Sequence, residues 1–97
     1  MGNDWKIKAT GYYGGEEVTV EVSPRKGGLD IQPERYRKLI EWKVKRGYQL
    51  PGAAYAEEGS LEQVYGILHS YFFDGGVTDI DYEGEFRKPE EVPGRIY

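Results

Sequence analysis

The stretch VTDIDYEGEF, residues 77–86, decides the fold that the sequence predicts. Acidic and apolar residues alternate along it, which is typical of a β-strand with one face in water and one against a core. The acidic side comprises Asp79, Asp81, Glu83 and Glu85. The opposite side comprises Thr78, Ile80, Tyr82 and Phe86. The stretch therefore predicts a strand whose carboxylates point to water and whose other side packs against helices.

A β-hairpin is predicted near the N-terminus. Two alternating runs, residues 5–12 and 17–22, flank a Gly-Gly pair at positions 14–15. Both glycines tolerate the positive φ that a two-residue hairpin turn requires. With this turn Lys8 faces Glu21, while isoleucine, alanine and valine side chains meet on the other side of the hairpin. Pairs of both kinds stabilise sheets.

Two amphipathic helices are predicted between the hairpin and the acidic strand. The first begins at Pro33 and ends at Gly47. Its apolar stripe comprises Tyr36, Leu39, Ile40 and Val44. The second begins at Ser60, with Gln63 completing a capping box, and ends at Asp74. Its apolar face comprises Leu61, Val64, Tyr65, Leu68, Tyr71 and Phe72.

Three segments lie outside these elements. Residues 23–32 are predicted to form a loop, because one proline and two glycines interrupt regular structure. Residues 88–97 contain two prolines and are predicted to be an irregular tail. For residues 48–59 the sequence does not distinguish a helical turn from a loop.

Together these elements predict an α+β fold with the chain order ββααβ. Its sheet is three-stranded and mostly antiparallel, in the order 2-1-3, and two helices pack on one face. The acidic strand then lies beside Lys6 and Lys8, which meet Glu17 and Glu21 on their other flank. The exposed face is predicted to alternate negative, positive, negative, as solvated sheet faces commonly do. A chain of 97 residues builds one modest core, so residues 1–97 are expected to form one domain.

The charge of the chain is unevenly distributed. The net charge is −4, but residues 1–50 hold ten Lys/Arg and seven Asp/Glu, whereas residues 51–97 hold three and ten. The basic charges are interleaved with apolar residues and do not form a block, so direct nucleic-acid binding is not expected. No apolar run reaches the length of a membrane span, and the chain has no cysteine. These features predict a cytoplasmic location and exclude thiol catalysis.

The acidic stretch also matches the residue pattern of an EF-hand calcium loop. The ligand positions would be Asp79, Asp81, Glu83, Gly84, Glu85 and Glu90. Glycines before the stretch and prolines after it oppose the two flanking helices that such a loop needs. No metal site is therefore predicted.

A second use of the acidic row is imitation of nucleic acid. Carboxylates on one side of a strand recur every ~6.7 Å, close to the phosphate spacing of an extended nucleic-acid strand. Such a row can block the basic groove of a nucleic-acid-binding enzyme. In size and charge the chain is similar to small viral inhibitors of CRISPR effectors and restriction enzymes. The similarity is limited to size and charge and includes no residue motif.

Trp42 stands out on the first predicted helix, since it projects away from the apolar stripe. The cations expected around it are Arg35, Lys38, Lys45 and Arg46. An aromatic ring among cations can bind a partner's pocket or a phosphorylated ligand. The alternative is that Trp42 packs beneath residues 48–59 or in a symmetric dimer contact. Tyr12 and Tyr13, at the hairpin tip, are further candidate contact residues.

Catalysis finds little support in the sequence. The single histidine, His69, lies at the border of an apolar helix face, and the adjacent Ser70 is expected to point elsewhere. No catalytic triad or phosphate-binding loop can be read. We therefore expect neither enzymatic activity nor a cofactor.

The leading hypothesis is a small acidic cytoplasmic module that binds a protein partner, with homodimerisation left open. Its candidate contact residues are Trp42, Arg35, Lys38, Arg46, Tyr12, Tyr13, Asp79, Asp81, Glu83 and Glu85. The alternative is a phage or mobile-element inhibitor that acts through its acidic face. A further alternative is a binder of small phosphorylated ligands.

Overall fold

A computed structural model describes residues 5–49 and 56–84 of the chain. The sheet contains four strands: β1 Lys6–Tyr13, β2 Glu16–Arg25, β3 Gly28–Gln32 and β4 Val77–Glu83. The helical elements between β3 and β4 are a 3-10 turn Glu34–Tyr36, helix α1 Arg37–Lys45, helix α2 Leu61–Ile67 and a π-helical turn Leu68–Phe72. The strand order is β3-β2-β1-β4, and every neighbouring pair is antiparallel. The α+β class is confirmed, with the chain order βββααβ.

The predicted hairpin is confirmed in its register. Lys8 lies opposite Glu21, and Ile7 lies opposite Val22. The turn glycines at positions 14 and 15 adopt φ values of 64° and 84°, which only glycine adopts without strain. The local sequence therefore accounts for the turn and the register of the hairpin.

The loop predicted for residues 23–32 is wrong, because this segment completes β2 and forms β3. Leu29 and Ile31 alternate with polar residues, and their side chains are buried in the core. Pro24 lies beyond the part of β2 that pairs with β1, so its missing N–H costs no bond to β1. Gly27, at φ 81°, forms the turn. The sheet has four strands where three were predicted.

The core lies between the sheet and the helices. Tyr36, Ile40 and Val44 of the predicted stripe are buried, and Leu39 is half-buried. Other buried side chains come from the inward faces of the strands and from the second helix: Ile7, Ala9, Val18, Val20, Val22, Leu61, Val64, Ile67, Leu68, Phe72 and Phe73. The helices therefore cover one face of the sheet and leave the other face in water.

Gln63 joins the two helices through its buried side chain. Its backbone N–H donates to Ser60 Oγ (3.2 Å), as the predicted capping box requires. Its Oε1 accepts from the Gly59 N–H (2.7 Å), whereas a capping box would use the N–H of the next residue, Ser60. Its Nε2 donates to the Val44 carbonyl at the end of α1 (3.0 Å). The Val44 carbonyl also accepts from the Gly47 N–H (3.1 Å), so the Gln63 amide adds a second, buried hydrogen bond to a carbonyl at the helix end.

We predict that Gln63→Glu destabilises the protein by about 2 kcal/mol or more at neutral pH, because a buried carboxylate faces the Val44 carbonyl without a donor. This burial raises the pKa of the new carboxyl, so the penalty is present above that raised pKa and shrinks as the pH falls through it. Urea denaturation followed by circular dichroism measures the difference from wild type at each pH. The control Gln32→Glu is at an exposed position, where it loses the contact with Asp30 (3.3 Å) and faces Glu21, so it should cost no more than about 1 kcal/mol. Equal penalties for the two variants would contradict the role of Gln63.

Strand β4 has the predicted alternation, interrupted by one bulge. Asp79 and Asp81 are exposed, while Ile80 and Tyr82 are half-buried. The register with β1 shifts near Thr78, which is left without an opposite residue in the β1–β4 ladder. The prediction that Thr78 lies on the apolar side is wrong: its side chain is exposed. Its hydroxyl donates to the Thr10 carbonyl (3.1 Å).

The bulge lies beside a close approach at Gly11. A Cβ atom built at Gly11 would lie 2.6 Å from the Gly76 carbonyl oxygen and 2.7 Å from the Phe73 ring. Only glycine at this position lets the end of the helical segment return against β1. We predict that Gly11→Ala lowers the free energy of unfolding by about 2 kcal/mol. Gly28→Ala is the matched control, since a Cβ there meets nothing within 4 Å. Thermal and urea unfolding of both variants test this, and a neutral Gly11→Ala would contradict it.

Several predictions fall outside the described residues. Glu85 and Phe86, the tail 88–97 and positions 50–55 of the open segment belong to this group. Within the described residues, no helix is long and apolar enough to cross a membrane.

Candidate functional site

Trp42 projects from α1 away from the core. It lies two residues from both Ile40 and Val44, so at about 100° per residue it points to the opposite side of the helix. Its side chain is 48% exposed. An exposed tryptophan on a rigid helix can contribute strongly to binding.

Two cations lie over the Trp42 ring. The Arg46 guanidinium carbon is 5.1 Å from the ring centroid, and the Lys43 ammonium is 5.6 Å from it. The sequence predicted Arg46 in this position but missed Lys43, which also lies 4.7 Å from the Tyr48 ring. Arg35 lies elsewhere, over the Tyr36 ring at 4.8 Å.

The other two cations expected around Trp42 are not among those that the structure places over its ring. Lys38 and Lys45 are exposed on α1, and neither appears among the cation–ring contacts of the described residues. They contribute positive charge to the same side of the molecule. The helix and the turn before it, residues 34–46, carry six Lys/Arg and two Glu, a net charge of +4.

Two tyrosines extend the aromatic area beyond Trp42. The Tyr48 ring centroid is 6.1 Å from that of Trp42 and 5.0 Å from that of Tyr71. Tyr71 was predicted on the buried face but is 36% exposed, because the π-helical turn is wider than an α-helical one and changes the direction of the residues after Leu68. We name Trp42, Lys43, Arg46, Tyr48 and Tyr71 the aromatic–cationic surface.

An open groove of about 390 Å³ lies within this surface. Its walls are formed by Arg46, Gly47, Tyr48, Gln49 and Tyr71. The groove combines one guanidinium with two phenol rings, so it suits an anionic or aromatic group of a ligand. It is the place where the phosphorylated ligand of the third hypothesis would fit.

A second concavity of about 570 Å³ also borders the C-terminal part of α1. It is bordered by the β2–β3 turn, by Leu29 and Val44, and by Gly59 before α2. Its charged groups are Glu41, Glu58 and Lys45. Two carboxylates and one ammonium disfavour a phosphate there.

The outward face of the sheet carries the predicted alternation of charge. Glu21 on β2, Lys8 on β1 and Asp81 on β4 form one cross-strand row. We name the charged outward residues of the sheet, apart from Arg25 beside the β2–β3 turn, the acidic sheet face: Lys6, Lys8, Glu17, Glu21, Asp30, Asp79, Asp81 and Glu83. Two cations and six carboxylates give this face a net charge of −4. Within the described residues the structure shows one ion pair closer than 4 Å, Arg37–Glu34 on the helix side, so these carboxylates are not neutralised by contact.

The EF-hand interpretation conflicts with this geometry. Residues 77–83 pair with β1 as a strand and do not coil into a loop. Among the described residues, no group of three or more potential metal-ligating side chains comes together.

The two tyrosines of the hairpin tip have different surroundings. Tyr12 lies on the outward face opposite Glu17 and is 43% exposed. Tyr13 points inward, with its ring centroid 4.9 Å from that of Phe72 and 5.1 Å from that of Tyr36. Only Tyr12 is therefore well placed for contact with a partner.

His69 and Ser70 were expected to point apart but form a hydrogen bond. His69 Nδ1 lies 2.9 Å from Ser70 Oγ, and the imidazole stacks on the Tyr65 ring at 5.7 Å. The π-helical turn brings the two neighbouring side chains together. Both residues are exposed on the helix surface, outside both concavities described above.

Comparison with known proteins gives no guide to these surfaces. The chain matches no protein-family model, no curated protein and no solved structure. The function is therefore argued from the two charged surfaces themselves.

We predict that Trp42 contributes little to folding. Trp42→Ala should lower the free energy of unfolding by no more than about 1 kcal/mol, because half of the ring is already in water and alanine favours the helix. Ile40→Ala, at a fully buried position two residues away, should cost about 3 kcal/mol. Urea denaturation followed by circular dichroism compares the two. A large penalty for Trp42→Ala would make the residue part of the core.

Proposed function

We propose that the chain is a non-catalytic cytoplasmic module that binds a protein partner through the aromatic–cationic surface. The observation that carries this proposal is the exposure of Trp42 beside Tyr48 and Tyr71, with Lys43 and Arg46 over the rings. Tryptophan, tyrosine and arginine dominate the binding energy of protein interfaces. Exposed apolar rings are unfavourable in water, so a partner that covers them gains free energy.

The arrangement of charges favours an acidic partner. Lys43 and Arg46 already lie over the Trp42 ring, so a flat ligand that stacks on it must displace a cation. Carboxylates of a protein partner can pair with these cations without moving them, while apolar groups contact the exposed part of the ring. Lys38 and Lys45, exposed on the same helix, extend the same preference. A cytoplasmic location agrees with the absence of cysteine from the chain.

The proposal is tested by affinity capture followed by binding measurements on the purified partner. We expect Trp42→Ala to weaken binding at least tenfold, which corresponds to about 1.4 kcal/mol, and Lys43→Glu/Arg46→Glu to weaken it further. The matched control is Arg25→Glu/Lys26→Glu, which makes the same change in net charge at the exposed β2–β3 turn. Calorimetry or biolayer interferometry provides the affinities. Equal binding by wild type and Trp42→Ala would overturn the proposal.

A second candidate function is inhibition of an enzyme that binds nucleic acid, through the acidic sheet face. It is supported by Asp79, Asp81 and Glu83, which lie on one exposed side of β4 at intervals of ~6.7 Å. Here Asp79→Lys/Asp81→Lys should abolish competition with DNA for the enzyme, while Trp42→Ala should leave it intact. Competition should also weaken steeply as salt is raised. The control Glu57→Lys/Glu58→Lys changes the net charge equally at exposed positions before α2.

A further inference from the structure

We infer that the acidic partner of the aromatic–cationic surface is the acidic sheet face of a second copy of this chain. This inference rests on the proposed function and identifies the partner for it. The contact is head-to-tail: the helix side of one copy lies on the outward sheet face of the next.

The two surfaces lie on opposite sides of the molecule. The inward face of the sheet packs against α1 through Ile40 and Val44, and Trp42 points away from that contact. The carboxylates of β4 occupy the other face of the sheet, which the helices do not cover. One copy can therefore use both surfaces at once, each with a different neighbour.

The charges of the two surfaces are complementary. The aromatic–cationic surface carries two cations, Lys43 and Arg46, within a segment, residues 34–46, whose net charge is +4, and the acidic sheet face carries −4. Contact between two identical surfaces would place like charges against each other, which is unfavourable for both. A two-fold dimer through either surface is therefore disfavoured, and contact between unlike surfaces is favoured.

The spacing of the charged groups also matches. Lys43 and Arg46 are three residues apart on one helix, where such neighbours have Cβ atoms about 5–6 Å apart. Asp79 and Asp81 are alternate residues of one strand, about 6.7 Å apart. Each cation can therefore reach one carboxylate, and Tyr12 adds an exposed aromatic ring to the same sheet face.

A contact between opposite faces is heterologous and does not close with two copies. Each added copy leaves one free surface at each end, so assembly proceeds stepwise and grows with concentration. Because the contact depends on exposed charges, it weakens as salt screens them.

Sedimentation velocity and multi-angle light scattering test the inference on the full chain. At low ionic strength we expect the weight-average mass to rise at least about twofold between ~10 µM and ~1 mM, and to fall back in high salt. Lys43→Glu/Arg46→Glu should be monomeric, and so should Asp79→Lys/Asp81→Lys. An equimolar mixture of these two variants should associate, because each variant retains the surface that the other has lost and the two reversed surfaces are also opposite in charge.

Two matched controls keep the test specific. Arg25→Glu/Lys26→Glu and Glu57→Lys/Glu58→Lys change the net charge by the same amounts and should assemble like wild type. Circular dichroism establishes that each variant is folded. If the β4 variant does not fold, Asp79→Asn/Asp81→Asn replaces it, since neutral side chains do not repel Lys8.

Three results would overturn the inference: a wild-type monomer at the highest concentration in low salt, a closed dimer that does not grow, or a mixture of variants that stays monomeric. Its failure is distinguishable from that of the proposed function. If the chain is monomeric but captures another protein in a Trp42-dependent way, the second-copy inference fails and the binding function stands. If assembly occurs but Trp42→Ala leaves every interaction unchanged, the proposed function fails, because binding then does not use the aromatic–cationic surface.

Discussion

Strand β1 pairs along both of its edges, with β2 on one side and β4 on the other, and the arrangement of the described chain depends on this double pairing. Its inward residues, Ile7 and Ala9, are fully buried beneath the helices, while Lys6 and Lys8 point to water. Gly11 is the next inward residue and leaves the space into which Phe73 and the Gly76 carbonyl fit. The same strand therefore positions the core, the charged face and the return of the chain to the sheet.

Contacts distant in sequence hold the helical layer in place around β1. The Gly14 N–H donates to the Asp74 carboxylate at 3.2 and 3.3 Å, and the Tyr12 backbone exchanges two hydrogen bonds with Gly75 and Gly76. At the opposite end, Gln63 connects the start of α2 to the end of α1. These contacts offset the entropy lost in ordering the long connection between β3 and β4.

The two-layer arrangement also separates the charges in space. The basic first half of the sequence contributes α1 on the outside of the helical layer, and the acidic second half contributes β4 on the other side of the molecule. A modest net charge of −4 thus conceals two strongly charged surfaces of opposite sign. Both the binding surface and the self-association that we propose follow from this separation.

The hairpin, the apolar stripe of the first helix and the strand of residues 77–83 were determined by the sequence alone. Each depends on spacing within a short stretch: a turn glycine pair, apolar residues on one helical stripe, and alternation with a period of two. The order β2-β1-β4 and the charge alternation across these strands were also predicted, because the acidic strand complements Lys6 and Lys8 when it lies beside β1. The exposure of Trp42 and its contact with Arg46 were predictable from helix geometry.

Tertiary structure decided the remaining features. Residues 23–32 form strand despite one proline and two glycines because Leu29 and Ile31 of β3 gain burial under the helices, which the local sequence does not reveal. The bulge at Thr78 and the π-helical turn that exposes Tyr71 depend on how closely distant segments approach. Lys43 and Tyr48 joined the aromatic–cationic surface for the same reason. Local spacing specifies which side of an element a residue occupies, but only packing between elements determines which residues meet there.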